Sequence, residues 1–384
     1  MGREGAGLRV CMVTPHLPPD LAANALLPEL LGEGLLARGH DVSYVALTPR
    51  RASADQKPGV VYIRRPRGGL ARRLRLSQLA TVVEVLRKAT GPISRADVVH
   101  VHSNTLMNQV SAAIACSRRR PFILTHYGTE IWHYRRKRFF DPFLWMNRRA
   151  AHVTYYSRLL LERSLDLGVA PKDRSVVYPP VDRRFRVLDA EARARARVSL
   201  GVDAGPLLIN VKRLHPLAGQ RYLVEAMSEI RERCPNARLW IAGEGESRAE
   251  LTALVDRLDL GATVRLLGAV DHRELPRYYA AADLFVLPSI LEAFPTVAAE
   301  SLACGTPVVT AAHPGGSELK ELFPKDVSVV PLQDASALAS GILAALASPK
   351  RTSEETLRRI EQELRPESAL DKYLALYDEA TAGG

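Results

Sequence analysis

The sequence predicts an α/β protein built from two doubly wound parallel sheets. Short apolar runs alternate with helical patterns in both halves of the 384-residue chain, which is the pattern of parallel sheets covered by helices. The runs resemble strands that are buried on both faces. The length is enough for two domains of ordinary size.

Each half contributes six predicted strands. Those of the first half are residues 8–13, 41–47, 60–63, 98–102, 122–126 and 152–156, and those of the second half are 207–211, 238–242, 264–267, 284–287, 308–311 and 327–330. A proline-containing stretch at 178–182, with the charged segment that follows it, is predicted to join the halves. Ligands of such sheets bind beyond the carboxyl ends of the strands, so site residues are expected there.

The composition indicates a folded protein with a large aliphatic core. Hydrophobic residues make up 47% of the chain and aromatic residues 6%, which argues against global disorder. No apolar stretch approaches the ~18 residues of a membrane-spanning helix, and the polar N-terminus shows no secretory signal. The four cysteines are far apart and have neither metal nor redox spacing. A reducing cytoplasm is therefore the expected location.

The net charge of +11 allows three interpretations: a nucleic-acid partner, an anionic membrane surface, or a solvated surface around an electropositive cleft. Two segments of the first half, 64–76 and 134–140, combine basic residues with leucines or aromatic residues. Such a face can hold an enzyme on anionic lipid, and an ordinary solvated surface is the equal alternative. No nucleic-acid-binding signature accompanies the charge, so no nucleic-acid partner is expected. Peripheral contact with the inner face of the cell membrane stays open beside a purely cytoplasmic location.

Two carboxylates in the second half mark the main candidate site. Glu292 follows the predicted strand 284–287, and Glu300 lies on a short helix that Pro295 is predicted to open at its first position. The start of that helix offers free N–H groups and a positive dipole end, which suit a diphosphate. Glu292 is predicted to reach sugar hydroxyls, and Glu300 to accept hydrogen bonds from a ribose. The residues predicted to surround the anion are Phe294, Pro295, Thr296 and Val297.

Two further strand ends of the second half carry candidate ligand contacts. Arg213 follows the strand 207–211, where a cation can neutralise a diphosphate and assist its departure. Gly243 and Glu244 form a turn after the strand 238–242, and the glycine permits a close approach of the backbone to a ligand.

Histidines end two strands of the first half. His126 closes the strand 122–126 and is followed by a glycine and an acid, and a contact with substrate is favoured over a packed or capping role. His100 and His102 alternate on one strand. No carboxylate or cysteine accompanies them at ligand spacing, so no metal site is expected.

The stretch from Glu292 through Phe294-Pro295 to Glu300, with the run 303–309 behind it, closely resembles the two-glutamate motif of the bacterial family 4 retaining glycosyltransferases (glycosyltransferase group 1). The resemblance extends over nearly the whole chain. It implies the GT-B fold, in which two Rossmann-like domains face each other across a cleft and a C-terminal helix crosses back to the first. The implied parts are an acceptor domain at 1–183, a nucleotide-sugar donor domain at 184–366 and the returning helix at 367–384.

The resemblance also implies the reaction. A hexose would pass, with retention and without a metal or other cofactor, from a nucleotide sugar to an acceptor such as a glycan, a glycolipid or a small metabolite. A UDP-sugar is the favoured donor, and GDP-mannose is the second. His126 would contact the donor sugar or the reacting centre, and the loop of Val270 would touch the base through backbone atoms. Gly243 and Glu244 correspond to the loop of the donor cleft.

Two departures from the family pattern concern phosphate contacts. Five residues after the arginine the family usually has a lysine and a glycine, whereas this chain has Ala218-Gly219, and Lys212 is the nearest substitute. Ala22-Ala23 stands where a Gly-Gly loop is usual. Both departures indicate a reworked diphosphate or acceptor pocket. They keep open another GT-B chemistry, such as a sugar-nucleotide epimerase or a pseudo-glycosyltransferase, and also a catalytically silent protein that binds membrane surfaces.

Overall fold

The structure of the protein, a computed structural model, describes residues 7–18, 23–48, 59–64, 76–202 and 205–383. The chain divides into two compact units: Met1–Pro179 together with Pro366–Gly384, called unit 1, and Pro180–Arg365, called unit 2. Unit 1 is thus formed by two separate segments of the chain, and unit 2 by one.

Each unit holds one parallel sheet. The strands of unit 1 are β1 (Arg9–Thr14), β2 (Asp41–Leu47), β3 (Val60–Ile63), β4 (Val98–His102), β5 (Phe122–His126), β6 (His152–Tyr155) and β7 (Arg174–Val176). Those of unit 2 are β8 (Leu207–Val211), β9 (Arg238–Ala242), β10 (Val264–Gly268), β11 (Leu284–Leu287), β12 (Val308–Ala311) and β13 (Val327–Val330). The strand order is β3-β2-β1-β4-β5-β6-β7 in unit 1 and β10-β9-β8-β11-β12-β13 in unit 2. Each sheet starts in its middle and grows first to one side and then to the other, so both are doubly wound.

The helices lie between the strands. In chain order, those of the described residues are α1 (Ala23–Ala37), α2 (Leu76–Arg95), α3 (Leu106–Ser117), α4 (Thr129–Trp132), α5 (Pro142–Arg149), α6 (Arg158–Asp166), α7 (Ala190–Leu200), α8 (Gln220–Arg233), α9 (Arg248–Arg257), α10 (Leu275–Ala281), α11 (Thr296–Ala303), α12 (Pro314–Leu322), α13 (Ala335–Ala347), α14 (Glu354–Glu363) and α15 (Pro366–Ala382). Several begin at side chains that accept a backbone N–H of the first turn, which fixes their starts. These capping residues include Thr105, Asp141, Ser157, Asp189 and Ser353.

The predicted fold class is confirmed. Each of the twelve predicted runs forms a strand, and no end is displaced by more than one residue. The described strand that the apolar pattern does not predict is β7, which has three residues, begins with an exposed arginine and lies at the edge of its sheet. An edge strand with one solvated side needs no continuous apolar run.

The helix α15 packs on the sheet of unit 1, and its two buried tyrosines bind that sheet by hydrogen bonds. The Tyr377 hydroxyl lies 2.7 Å from Nδ1 of His100, whose Nε2 lies 2.7 Å from the Thr125 hydroxyl. The Tyr373 hydroxyl lies 3.0 Å from that of Thr154. Buried polar groups need such partners. Residues from both chain segments of unit 1 therefore complete one polar network.

His100 and His102 are fully buried in unit 1. Burial lowers the pKa of His100 well below its ordinary value and that of His102 to about 3, because a buried imidazole loses the water that would stabilise its charge. Both side chains are therefore neutral in the folded protein at neutral pH.

Acid should destabilise the protein through these histidines. His102 titrates near pH 6.5 in the unfolded chain and only near pH 3 in the folded one, so the unfolded state binds more protons between these values. The stabilisation is complete above pH 6.5 and is lost as the pH falls towards 3, with a slope of about 1.4 kcal/mol per pH unit for each histidine. The melting temperature of the wild type should therefore fall more steeply with acid than that of His102→Gln. Parallel slopes for the two proteins would contradict this prediction.

Candidate functional site

The strand order of unit 2 reverses between β8 and β11, and an open α/β sheet forms its ligand crevice at such a reversal. β8 pairs with β9 on one side and with β11 on the other. The loops that leave the carboxyl ends of β8 and β11 therefore start side by side. They carry Lys212 and Arg213 after β8, and Glu292 after β11.

Lys212 and Glu292 form an ion pair across this reversal. Nζ of Lys212 lies 2.5 Å from Oε1 of Glu292, and the two side chains are only 28% and 15% exposed. The backbone is fixed at both residues, because the Lys212 N–H donates to the carbonyl of Ala242 and the Gly315 N–H donates to that of Glu292. A pair shielded from water interacts more strongly than one on the open surface. It holds the two loops together.

Arg213 follows Lys212 beyond the end of β8 and has an exposed side chain. Its carbonyl accepts a hydrogen bond from the buried side chain of Gln220, which also donates to Asn210. Within the described ranges, the guanidinium of Arg213 forms no ion pair with an acidic side chain. The backbone of Arg213 is thus fixed, while its guanidinium lies at the surface.

A glycine brings the loops after β8 and β9 into close contact. Gly243 has φ +151°, and a Cβ at this position would lie 2.0 Å from the carbonyl oxygen of Lys212. Its N–H donates to the carbonyl of Gly268 at the end of β10. Glu244, the next residue, is exposed and pairs with Arg248 at 3.0 Å. Any side chain at position 243 would push the two strand ends apart.

Glu300 lies on α11 and is only 4% exposed. Its Oε1 lies 3.0 Å from Nε2 of His272, and its Oε2 accepts a hydrogen bond of 3.3 Å from the Tyr279 hydroxyl. Burial alone would lower the pKa of His272, but the hydrogen bond and the negative charge of Glu300 outweigh burial and raise that pKa. His272 lies two residues beyond Val270, in the loop after β10. The contact therefore joins that loop to α11.

The helix α11 begins one residue later than predicted. Pro295 precedes the first helical residue, Thr296, and its φ of −84° and ψ of 83° are not helical. The prediction that Pro295 opens the helix at its first position is therefore wrong by one residue. Thr296 and Val297 are half-buried at the helix start, and Phe294 is buried.

No cation stands at position 218. Ala218 is buried in a short 3-10 turn, and Gly219 after it has φ +67°. A Cβ at Gly219 would lie 2.0 Å from the carbonyl oxygen of Pro288, so the turn packs directly against the loop after β11. The lysine that the structure brings to this reversal is Lys212.

The predicted donor-site residues of unit 2 thus lie on α11 and on loops that meet at one edge of its sheet, and their roles towards a ligand stay predictions. They are Lys212, Arg213, Gly243, Glu244, Val270, Glu292, Phe294, Pro295, Thr296, Val297 and Glu300.

His126 closes β5 in unit 1 and is fully buried. Its Nε2 lies 2.9 Å from Oδ1 of Asn147, and its Nδ1 lies 3.4 Å from Oε1 of Glu130. Glu130 also accepts the N–H groups of Tyr127 and Gly128. Burial alone would raise the pKa of Glu130, but His126 and the backbone N–H groups of Tyr127 and of Glu130 itself lower it overall. Protein groups face both ring nitrogens of His126, and its contact with substrate stays a prediction.

The other predicted contact of unit 1 lies at the start of α1. Ala23 is the first residue of that helix, and Ala22 lies outside the described residues. Their phosphate contact also stays a prediction.

Sequence reasoning missed three residues that shape the site in unit 2: His272, Tyr279 and Gln220. His272 lies in the loop predicted to touch the base, and a polar residue just beyond a strand end is a signal that identifies such a candidate. Tyr279 and Gln220 lie on helices. Nothing in their local sequence distinguishes them from other helical residues.

Comparison with known proteins gives one assignment to both halves of the chain. Residues 193–364 match the family model of the glycosyl transferases group 1, and residues 29–185 match that of Glycosyltransferase Family 4. An uncharacterised glycosyltransferase of Methanocaldococcus jannaschii is 30% identical over 326 residues, which cover 81% of this chain and 82% of that protein. The chain belongs to the family 4, group 1 glycosyltransferases.

Two other proteins are similar to this family 4 glycosyltransferase. The GDP-mannose-dependent alpha-(1-6)-phosphatidylinositol monomannoside mannosyltransferase of Mycolicibacterium smegmatis is 32% identical over 208 residues, 52% of this chain and 54% of that protein. HepE of Anabaena, solved in complex with UDP-glucose, has a TM-score of 0.77 and 19% identity, with 97% of this chain and 99% of HepE covered. The resemblance seen in the glutamate motif is confirmed, and so is the fold class.

The substitution Gly243→Ala should damage the site of this family 4 glycosyltransferase. The added methyl would lie 2.0 Å from a backbone oxygen at φ +151°, and strain of this kind costs about 1–3 kcal/mol even before the strand ends move apart. The melting temperature should fall, and glycosyltransferase activity should fall with it. Gly261→Ala is the matched control, because a Cβ there meets nothing within 4 Å. Indistinguishable behaviour of the two variants would contradict the prediction.

Proposed function

We propose that this protein is a retaining glycosyltransferase that moves a hexose from a nucleotide sugar to an acceptor hydroxyl. The ion pair of Lys212 with Glu292 is the observation that carries the proposal. It places a cation suited to a diphosphate against a carboxylate suited to sugar hydroxyls, directly beside Arg213 and at the reversal of the sheet.

The nucleoside would lie between the loop of Val270 and the carboxylate of Glu300. An ionised carboxylate has about four positions that accept hydrogen bonds. In Glu300, His272 and Tyr279 occupy two of these positions. The remaining two acceptor positions suit the two hydroxyls of a ribose. The base would be recognised mainly by backbone atoms near Val270.

The diphosphate would be bound by Arg213, Lys212 and the start of α11. Two adjacent cations offset much of its charge, so the proposed site needs no metal. The N–H groups between Phe294 and Val297, at the positive end of the helix dipole, would complete the anion site. Lys212 would exchange Glu292 for a phosphate oxygen, and this exchange would free Glu292 for the hydroxyls of the sugar.

The proposed reaction retains the anomeric configuration. The acceptor oxygen attacks the anomeric carbon on the face from which the nucleotide departs, and the bond from that carbon to the phosphate oxygen breaks. The hydroxyl proton passes to the departing phosphate, whose developing charge Arg213 and Lys212 stabilise. A contact of His126 with the donor sugar is proposed from the sequence motif alone.

A UDP-sugar is the favoured donor, and GDP-mannose is the second. The UDP-glucose complex of HepE supports the first, and the GDP-mannose dependence of the Mycolicibacterium relative supports the second. The name of that relative states a phosphatidylinositol monomannoside as its acceptor, which supports a glycolipid among the proposed acceptors.

A nucleotide panel tests the donor site. Binding to the folded protein raises the melting temperature, so UDP, GDP, ADP and dTDP, each alone and as sugar conjugates, should reveal the base. Product analysis with the donor that binds then separates a transferase from an epimerase, because only an epimerase changes the sugar without an acceptor. No shift with any nucleotide would favour the catalytically silent alternative.

The substitutions Arg213→Ala and Glu292→Ala should each reduce kcat/KM for transfer by about 100-fold or more, because each removes a group that acts on the reacting donor. Arg257→Ala is the control: this exposed arginine ends α9, which runs back from the carboxyl edge of the sheet. All three variants should keep a cooperative melting transition. Near-normal turnover by both site variants would rule out the assignment.

We also propose that the segment 134–140 contacts an anionic membrane. Phe139 is 98% exposed and Phe140 65%, and the four basic residues before them are all exposed. Asp141 fixes the base of the segment, because it accepts hydrogen bonds from the Tyr134 hydroxyl (2.6 Å) and the Lys137 N–H (3.1 Å). Exposed aromatic rings beside cations suit the interface of an anionic bilayer.

The sequence also predicts a basic segment at 64–76, and its residues 65–75 lie outside the described residues. Among the helices of the described ranges, none combines the length and the apolar character that crossing a bilayer requires.

Replacement of Phe139 and Phe140 by serine should weaken co-sedimentation with vesicles of phosphatidylcholine and phosphatidylglycerol at low salt, because it removes the apolar part of the contact. Val198→Ser is the control, since Val198 is an apolar residue of unit 2 that is 81% exposed. Added salt should weaken the binding of every variant. Undiminished binding by the double variant, or no binding by the wild type, would contradict this role.

A further inference from the structure

We propose that His272 is a positioning residue for ribose recognition: it holds the carboxylate of Glu300 so that the remaining acceptor positions meet the ribose hydroxyls of the donor. This inference rests on the proposed function, which places the nucleoside at Glu300. His272 itself would touch neither the sugar being transferred nor the reacting atoms.

The first step of the argument concerns Glu300, which needs partners because it is nearly excluded from water. A buried carboxylate without hydrogen bonds is costly. Each oxygen of Glu300 has one protein donor, His272 at 3.0 Å and Tyr279 at 3.3 Å. The shorter of the two bonds comes from His272, and a positive charge on its ring would strengthen that bond. His272 therefore has the larger part in orienting the carboxylate.

The second step concerns the surroundings of His272. Its ring packs edge to face on Phe185, with 5.0 Å between ring centroids, and its side chain is 35% exposed. One edge of the ring therefore stays at the surface while Nε2 reaches inward to Glu300. The charges of Asp182 and Arg184 act on it with opposite signs. A side chain packed on one face and bonded at its tip has little rotational freedom, so it can fix the rotamer of Glu300.

The third step concerns the chain positions of the two partners. His272 belongs to the loop after β10, which also carries Val270, whereas Glu300 belongs to α11. Under the proposed function these two elements would hold the base and the ribose. The hydrogen bond between them orients the carboxylate of Glu300 relative to that loop. Loss of His272 would therefore relax the direction of the carboxylate.

The hydrogen bond from Tyr279 allows a second, independent test of the same carboxylate. Its hydroxyl is fully buried, and burial together with Glu300 raises its pKa well above the ordinary value. It therefore stays protonated and donates its hydrogen to Glu300. Tyr279→Phe removes the other hydrogen bond to Glu300 and keeps the ring in the core. It should therefore weaken ribonucleotide binding, as His272→Ala does.

The test compares a ribonucleotide with its 2′,3′-dideoxy counterpart. Dissociation constants of UDP, GDP and their dideoxy forms are measured by calorimetry for the wild type, His272→Ala, His272→Gln and Tyr279→Phe. The wild type should bind the ribonucleotide more tightly than the dideoxy form. His272→Ala should raise the dissociation constant of the ribonucleotide by about tenfold, as expected for the loss of one charge-assisted hydrogen bond. The dissociation constant of the dideoxy form should stay unchanged.

Rescue and kinetics complete the test. The side-chain amide of Gln has an N–H where histidine has Nε2, so His272→Gln should recover most of the ribonucleotide affinity. In the transfer reaction, His272→Ala should raise KM for the donor and leave kcat nearly unchanged. His133→Ala, a substitution of an exposed histidine of unit 1, is the control and should change neither constant.

The outcomes are distinguishable. Equal weakening of the ribonucleotide and the dideoxy form by His272→Ala would overturn the inference, because it would indicate a contact with the base or phosphate, or a general structural role. Unchanged ribonucleotide affinity in His272→Ala would overturn it as well. A wild type that binds no nucleotide at all would instead overturn the proposed function on which the inference rests.

Discussion

The ion pair between Lys212 and Glu292 holds together the two strand ends on which the candidate site is built. Both charges are mostly shielded from water, so each depends on the other, and loss of one leaves an unpaired charge in a poorly solvated place. β8 and β11 are neighbours only because the sheet reverses its order between them. The pair therefore stabilises the adjacent ends of β8 and β11, where the reversal of the strand order forms a crevice. An anionic group is the natural competitor for the lysine, since it replaces the charge of the carboxylate.

The fold could be predicted from the sequence because its strands are buried in parallel sheets. Such strands appear as short apolar runs separated by helical patterns, and this local signal needs no knowledge of the tertiary structure. β7 shows the limit of the signal. It lies at the sheet edge, where one strand partner suffices and burial does not demand apolar residues. The start of α11 shows another limit, since Pro295 fixes φ but its ψ decides whether the helix has begun.

The candidate site could be predicted only in part. Glu292 and Glu300 are recognisable because a strand precedes one and a helix carries the other, and both patterns are local. Their partners are not recognisable in this way, because Lys212 and His272 come from the loops after β8 and β10. The sequence predicts that Lys212 acts on a phosphate together with Arg213, and the structure adds a carboxylate partner that spacing along the chain cannot show. Contacts between different strand ends are properties of the assembled sheet.

The polar network under α15 has a consequence for the order of events on the ribosome. Tyr373 and Tyr377 complete the hydrogen bonds of His100, Thr125 and Thr154, yet all of unit 2 lies between these groups in the chain. Unit 2 is one continuous segment, so it can finish folding while it is being synthesised. The sheet of unit 1 emerges first but has to wait for its covering helix. Until then Nδ1 of His100 and the hydroxyl of Thr154 lack their tyrosine partners, and the earlier half of the nascent chain is the later one to become native.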